Sequence, residues 1–254
     1  NNKYHIIRYG DFANNGNSKV FYSIFAGLLC FDDYRTRNST DCIIIALGST
    51  LLWAIVELYL HMSGTRIIAP MFIGSKHNPN MQIILPTAVG ALLQGAQEGG
   101  VVTTVGLYYG DRLHDMSAFL RLHIFIAVVI TNVWLRKPIN NSIITSKRQI
   151  NTIGSIIFMI SAVCHDFNML WKNPEHLHRQ LKMIFVMVYM CSWWTFVAWY
   201  KGFRSIEVHI KQNNDMNKNQ EYIIKNTNTK DLFLVLGYDI LFEVGIVYLI
   251  FYNI

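Results

Sequence analysis

The stretch 82-QIILPTAVGALLQGAQEGGVVTTVGLYYG-110 decides which solvent this chain lives in, because it contains a single charged residue, Glu98. As one helix rising 1.5 Å per residue it would be about 43 Å long. The hydrocarbon core of a bilayer is roughly 30 Å thick, so such a helix must tilt, emerge or break. Gly99-Gly100 is the place for a break, since a helical glycine costs about 1 kcal/mol relative to alanine. Small residues also recur along one face at Ala91, Gly95, Gly99, Thr103, Gly106 and Gly110. Gly95-x-x-x-Gly99 and Gly106-x-x-x-Gly110 are the spacing that lets membrane helices approach closely. Two readings follow: an interrupted helix whose exposed backbone meets a ligand, or a packing seam without one.

The rest of the sequence agrees on the solvent. Hydrophobic residues make up 52% and charged residues 15%, against about 25% charged in an ordinary soluble domain. Apolar runs at 41–61, 82–110, 117–135, 149–166, 181–200 and 231–253 are each long enough to cross a bilayer. The run Lys19–Phe31 is shorter and reads as an interfacial helix or a seventh span. Residues 63–81 contain a short apolar segment with Pro70 in it, too short to span, so it is interfacial or re-entrant. The expected fold class is therefore all-α: one polytopic membrane bundle over residues 1–254, with six or seven transmembrane helices. The Asn- and Lys-rich segment within 201–230 reads as a flexible polar loop.

The net charge of +6 sits in loops, not in a nucleic-acid-binding patch. Arg136, Lys137, Lys147 and Arg148 fall in one loop, and Lys201, Arg204, Lys211, Lys218, Lys225 and Lys230 in another. The positive-inside rule places loops 136–148 and 201–230 on the cytoplasmic or equivalent side. Loops 32–41, 111–117 and 167–180 then face the other side. Cys30 and Cys42 flank the first of these and could close it as a disulfide. The expected partners are the lipid bilayer and, through the glycine faces, a second copy of the chain or a larger membrane complex; nucleic acid is not expected.

Charged residues within apolar runs are the main functional pointers, because each costs at least about 2.5 kcal/mol to insert without a partner or a wet cavity. Glu57, Glu98, Asp239 and Glu243 are of this kind, with Arg121 near the start of another run. Glu57 and His61, Gln94 and Glu98, and Asp239 and Glu243 are each four apart, hence on one helical face. With Gly99 and Gly100 these residues would line a polar core between three helices. Arg66 is placed to pair with Glu57, and Arg121 to reach Glu98.

A second cluster lies on the outward loops. Asp111, His114 and Asp115 fall on one, and His165, Asp166, His176 and His178 at or on the next. Imidazole and carboxylate ligands suit zinc or iron, although no H-E-x-x-H or repeated histidine box is present. No motif requires a cofactor: phosphate loops, nucleophile elbows and dinucleotide fingerprints are absent. Retinal is excluded, because no lysine follows Asp231 in the last run. Thr104-Val105-Gly106 and Tyr109-Gly110 carry the letters of a potassium-channel filter, but Leu107 and Tyr108 intervene and break the ladder of carbonyls.

The residues thus point to a channel or transporter for an ion or small solute. The alternatives are a membrane enzyme using the outward cluster on a lipid-type substrate, and a structural subunit of a membrane complex.

Overall fold

A computed structural model describes residues 3–10, 13–75, 78–136, 144–150, 152–211 and 222–225, together with Phe233 and Gly237. Among the described residues seven helices dominate: α1 (Gly16–Arg37), α2 (Asp41–Met62), α3 (Thr87–Gly95), α4 (Val102–Gly110), α5 (Met116–Leu135), α6 (Ile153–Lys172) and α7 (Leu177–Tyr200). A π-helical turn, Ala96–Val101, joins α3 directly to α4. The apolar run 231–253 lies, apart from Phe233 and Gly237, outside the described residues.

Helix ends follow from the residues placed there. The Asn15 side chain accepts from the Asn17 N–H at the start of α1, and Asn38 closes that helix in the left-handed conformation that asparagine tolerates. Asp115 caps α5 by accepting from the N–H of Ser117 at 2.8 Å. Pro86 precedes α3, where a missing N–H costs nothing.

Among the described residues, three helices are long and apolar enough to cross a membrane: α2, α5 and α7 with its preceding turn from Pro174. Their outer faces carry apolar stripes at helical spacing. On α2, Ile44, Leu47, Leu51, Ile55 and Tyr59 are each more than half exposed. α1 presents Phe21, Ile24, Leu28 and Phe31 in the same way. A water-facing surface rarely tolerates continuous patches of this kind.

The chain is not all-α. Strands β1 (Lys3–Tyr9), β2 (Arg66–Ile68), β5 (Ile144–Gln149), β6 (Arg204–Lys211) and β7 (Tyr222–Lys225) form one antiparallel sheet in the order β2-β5-β1-β6-β7. β3 (Phe72–Gly74) and β4 (Gln82–Ile84) pair as a separate hairpin. A window long enough to find a span averages over such strands, although β6 alternates Ile206, Val208 and Ile210 at period two. The expected flexible loop 201–230 accordingly contains two strands; residues 212–221 between them lie outside the described residues.

β1, β2, β5 and β6 each follow or precede a helix at the same end of the bundle, so the sheet closes that end. Connections 38–40, 111–115 and 173–176 lie at the opposite end. Arg179 ties that end together, reaching Asp41 at 2.7 Å and Asp111 at 2.7 Å, and Arg37 reaches Asp111 at 2.5 Å. Cys30 and Cys42 are buried there as free thiols, with the Cys30 Sγ–H donating to the Cys42 carbonyl, so the expected disulfide is absent.

The opening stretch does not form one 43 Å helix. Gln82–Ile84 is strand β4, Pro86 starts the helix, and the chain passes Gly99-Gly100 without breaking. Here the π turn absorbs an extra residue, and Thr103 Oγ1 donates to the Gly100 carbonyl at 3.1 Å. The glycine face is two seams. A Cβ on Gly95 or Gly99 would stand 2.4 or 2.5 Å from the backbone oxygens of Thr50 and Ser49 on α2. One on Gly106 or Gly110 would meet Met187 and Met183 on α7. Both seams are used within the chain.

Candidate functional site

Glu98 lies at the midpoint of the α3–α4 rod, on the π turn, and the sheet brings arginines to it. Antiparallel register places Arg8 opposite Arg204 and Ser146, and Arg66 opposite Arg148. These residues alternate with Ile6 and Ile206 on the sheet face that packs against Trp53 and Leu60 of α2. All four arginines therefore approach the bundle interior, and Arg66, Arg148 and Arg204 are buried.

Two carboxylates meet them. Arg66 Nη1 donates to Glu57 on α2 and to Glu98 Oε2 at 3.2 Å. Arg8 Nη1 donates to Glu98 Oε1 at 2.6 Å, and the indole N–H of Trp53 donates to Oε2 at 2.8 Å. Glu98 thus bridges the sheet, α2 and the π turn through charge-assisted hydrogen bonds. The Glu57–Arg66 pair is as expected from sequence. Arg121 does not reach Glu98: it is more than half exposed and lies 4.0 Å from Asp115 at the other end.

Lys19 enters from α1. It is 1% exposed, and its Nζ donates to the neutral Gln97 Oε1 at 2.8 Å. An ammonium has three donors, so two of them have no acceptor among the described residues. Beside it is a cavity of about 100 Å³ bounded by α1, the π turn, α5, α7 and the sheet. Arg8, Lys19, Arg136 and Arg204 line it with Gln97, Asn132 and Thr195, and Glu98 is the one carboxylate among its described lining residues. Its opposite part is apolar, formed by Val101, Val102, Phe125, Val129 and Met190.

A second cavity, about 220 Å³, lies across the ion pairs and is lined by Glu57, His61, Gln94, Gly90 and Met71 among others. Gln94 is buried and its Oε1 has no hydrogen-bond partner among the described residues. Glu57, His61 and Gln94 line this cavity, while Glu98 lines the first and meets Glu57 only through Arg66. Gly99 and Gly100 face α2 instead and expose no backbone to a ligand.

Asp111, Asp115 and His176 of the outward cluster have other engagements. Burial would raise the Asp111 pKa, but Arg179 and Arg37 outweigh that effect and hold the carboxyl below its usual range. Asp115 is lowered by the Ser117 backbone and hydroxyl groups it caps. His114 and His178 are exposed, His176 lies 3.6 Å from Glu175, and His165 sits on α6. Among the described residues, no three His, Cys, Asp or Glu side chains converge as a metal site. Asp239, Glu243 and the side chain of Asp166 lie outside the described residues.

No family model, curated protein or solved structure matches this chain. Its chemistry is therefore read from its own geometry. The cationic half of the site was the part sequence reasoning missed. Arg8 and Arg204 lie far apart in sequence on strands hidden within polar segments, and Lys19 begins a run too short to read as a span. The available signal was β-alternation, which places Ile6 with Arg8 and Ile206 with Arg204 on one face.

Proposed function

We propose that this chain is an integral membrane carrier for a small anionic solute, with its polar site at the junction of the sheet and the helices. The observation that carries this reading is Lys19, a buried basic side chain on the wall of a cavity whose described lining holds three other basic side chains and one carboxylate. Such a lining attracts anions, and a low-dielectric wall strengthens that attraction. Glu57 and Glu98 then act as the counter-charges that hold Arg66 and Arg8 in place, instead of as a proton or cation relay.

In this reading α1, the α3–α4 rod and α6 cross the membrane with α2, α5 and α7, and the apolar run 231–253 is a seventh span. The sheet end faces the cytoplasmic or equivalent side, where the positive-inside rule puts its Lys and Arg residues. Hinging at the ion pairs would let the site alternate between exposure and closure.

The test is release of radiolabelled methanesulfonate and hexanesulfonate from vesicles reconstituted with the full chain. These anions stay charged, so neither crosses as a neutral acid. Wild-type vesicles should release at least one of them faster than protein-free vesicles. Lys19→Met should slow that release about tenfold or more, and Lys19→Arg should retain it. Release at the protein-free rate for both anions would refute the carrier reading.

A further inference from the structure

We infer that the cavity at Lys19 takes an anionic amphiphile, a molecule with an acidic headgroup and a hydrocarbon chain, which enters sideways between α1 and α5. This rests on the anion-site reading above and names its substrate class.

Three features of the cavity carry the inference. First, its polarity is divided along its length. Arg8, Lys19, Gln97 and Arg204 gather where the sheet meets the helices, whereas Val101, Val102, Phe125, Val129 and Met190 line the part toward the bundle middle. A small hydrated anion has no use for that second half, and dehydrating it against valine and phenylalanine would be unfavourable. A hydrocarbon chain gains about 0.8 kcal/mol per buried methylene there.

Second, the opening faces the flank of the bundle. Tyr22 on α1 and Val129 and Arg136 on α5 are half-buried, and Asn132 is exposed. They line the cavity on its α1 and α5 sides. Further along, the two helices meet, with Phe25 and Phe125 stacked at 4.4 Å and Tyr22 edge-on to Phe125. That aromatic contact joins α1 and α5 beside the apolar part of the cavity, on the side away from the sheet. The helix faces flanking this opening, Phe21 and Ile24 on α1 and Ile124 and Val128 on α5, are exposed and apolar as lipid-facing surfaces are.

Third, the headgroup end is built and buried. Lys19 and Arg204 are both at least nine-tenths buried, and Lys19 retains donor capacity directed at the cavity. An acidic headgroup, carboxylate, sulfonate or phosphate, supplies the acceptors that the described protein atoms do not.

Thermal unfolding of the full chain in maltoside micelles, with alkylsulfonates as probes, tests the inference. Dodecanesulfonate should raise the melting temperature saturably, while dodecanol and methanesulfonate at equal concentration should not. Between butane- and octanesulfonate the apparent affinity should tighten about fourfold per methylene until the apolar end is filled. Lys19→Met should weaken dodecanesulfonate binding about tenfold or more, and Lys19→Arg should restore it. Val129→Trp, which fills the apolar part, should abolish it; if that variant does not fold, the Lys19 pair and the chain-length series decide.

Equal stabilisation by methanesulfonate and dodecanesulfonate, surviving Val129→Trp, would overturn the amphiphile while leaving an anion carrier. Equal stabilisation by dodecanol would overturn recognition of the acidic head. Stabilisation by no sulfonate would overturn this inference and the anion site together.

Discussion

Replacing Gly99 by alanine tests the close approach of the π turn to α2, on which the position of Glu98 depends. The new Cβ would stand 2.5 Å from the Ser49 carbonyl oxygen, 3.0 Å from the Ser49 carbonyl carbon and 3.0 Å from Trp53 Cβ. Two of these atoms are backbone, so no side-chain rotation relieves the contact. Reaching an ordinary 3.4 Å requires the helices to part by about 0.9 Å, the difference between 3.4 and 2.5 Å. The Trp53–Glu98 hydrogen bond, 2.8 Å long, would be lost by the same displacement. Overpacking costs about 1–3 kcal/mol, and a lost hydrogen bond to a charged group about 1.5–3 kcal/mol. The better helix propensity of alanine returns about 1 kcal/mol. The net expectation is a loss of about 1.5–5 kcal/mol. Reversible unfolding in mixed micelles by a denaturing detergent measures it. Gly27→Ala on α1 is the control: nothing lies within 4 Å of its new Cβ, so it should stabilise by up to about 1 kcal/mol. Equal behaviour of the two variants would refute the seam.

The other expectations concern the ion pairs. Arg66→Met should cost about 3–5 kcal/mol by leaving Glu57 and Glu98 buried without that partner. Arg66→Met combined with Glu57→Gln should recover part of the loss; an additive double variant would mean that the two do not interact. Asp111→Asn should destabilise the far end of the bundle at neutral pH and alter acid sensitivity. Because the folded pKa of Asp111 is depressed, its contribution is present above the ordinary value near 3.9 and is lost as pH falls through the lower folded value. Unfolding of the wild type should therefore steepen below about pH 4 relative to Asp111→Asn. Parallel pH profiles would show that Arg37 and Arg179 do not stabilise that carboxylate.

The sequence by itself determined the apolar character of the chain, the positions of most helices and the pairing of Glu57 with Arg66. Those properties depend on composition and on neighbours within a few turns. It also marked Glu98 beside the paired glycines as unusual, because a carboxylate in an apolar run needs a partner wherever the chain folds. It could not say which partner. Arg121 was nearer by sequence pattern, yet Arg8 holds Glu98 across a separation of ninety residues, because β1 enters the sheet between β5 and β6. The glycines, likewise, could mark a break or a seam until α2 was seen against one half of the rod and α7 against the other. Strand alternation fixes which side chains share a face, but only the pairing of distant strands put Arg8, Arg66, Arg148 and Arg204 on the face turned toward the helices. The cationic cavity is thus a property of the tertiary structure, since its charges come from segments that are each too short or too polar to read as part of a membrane site alone.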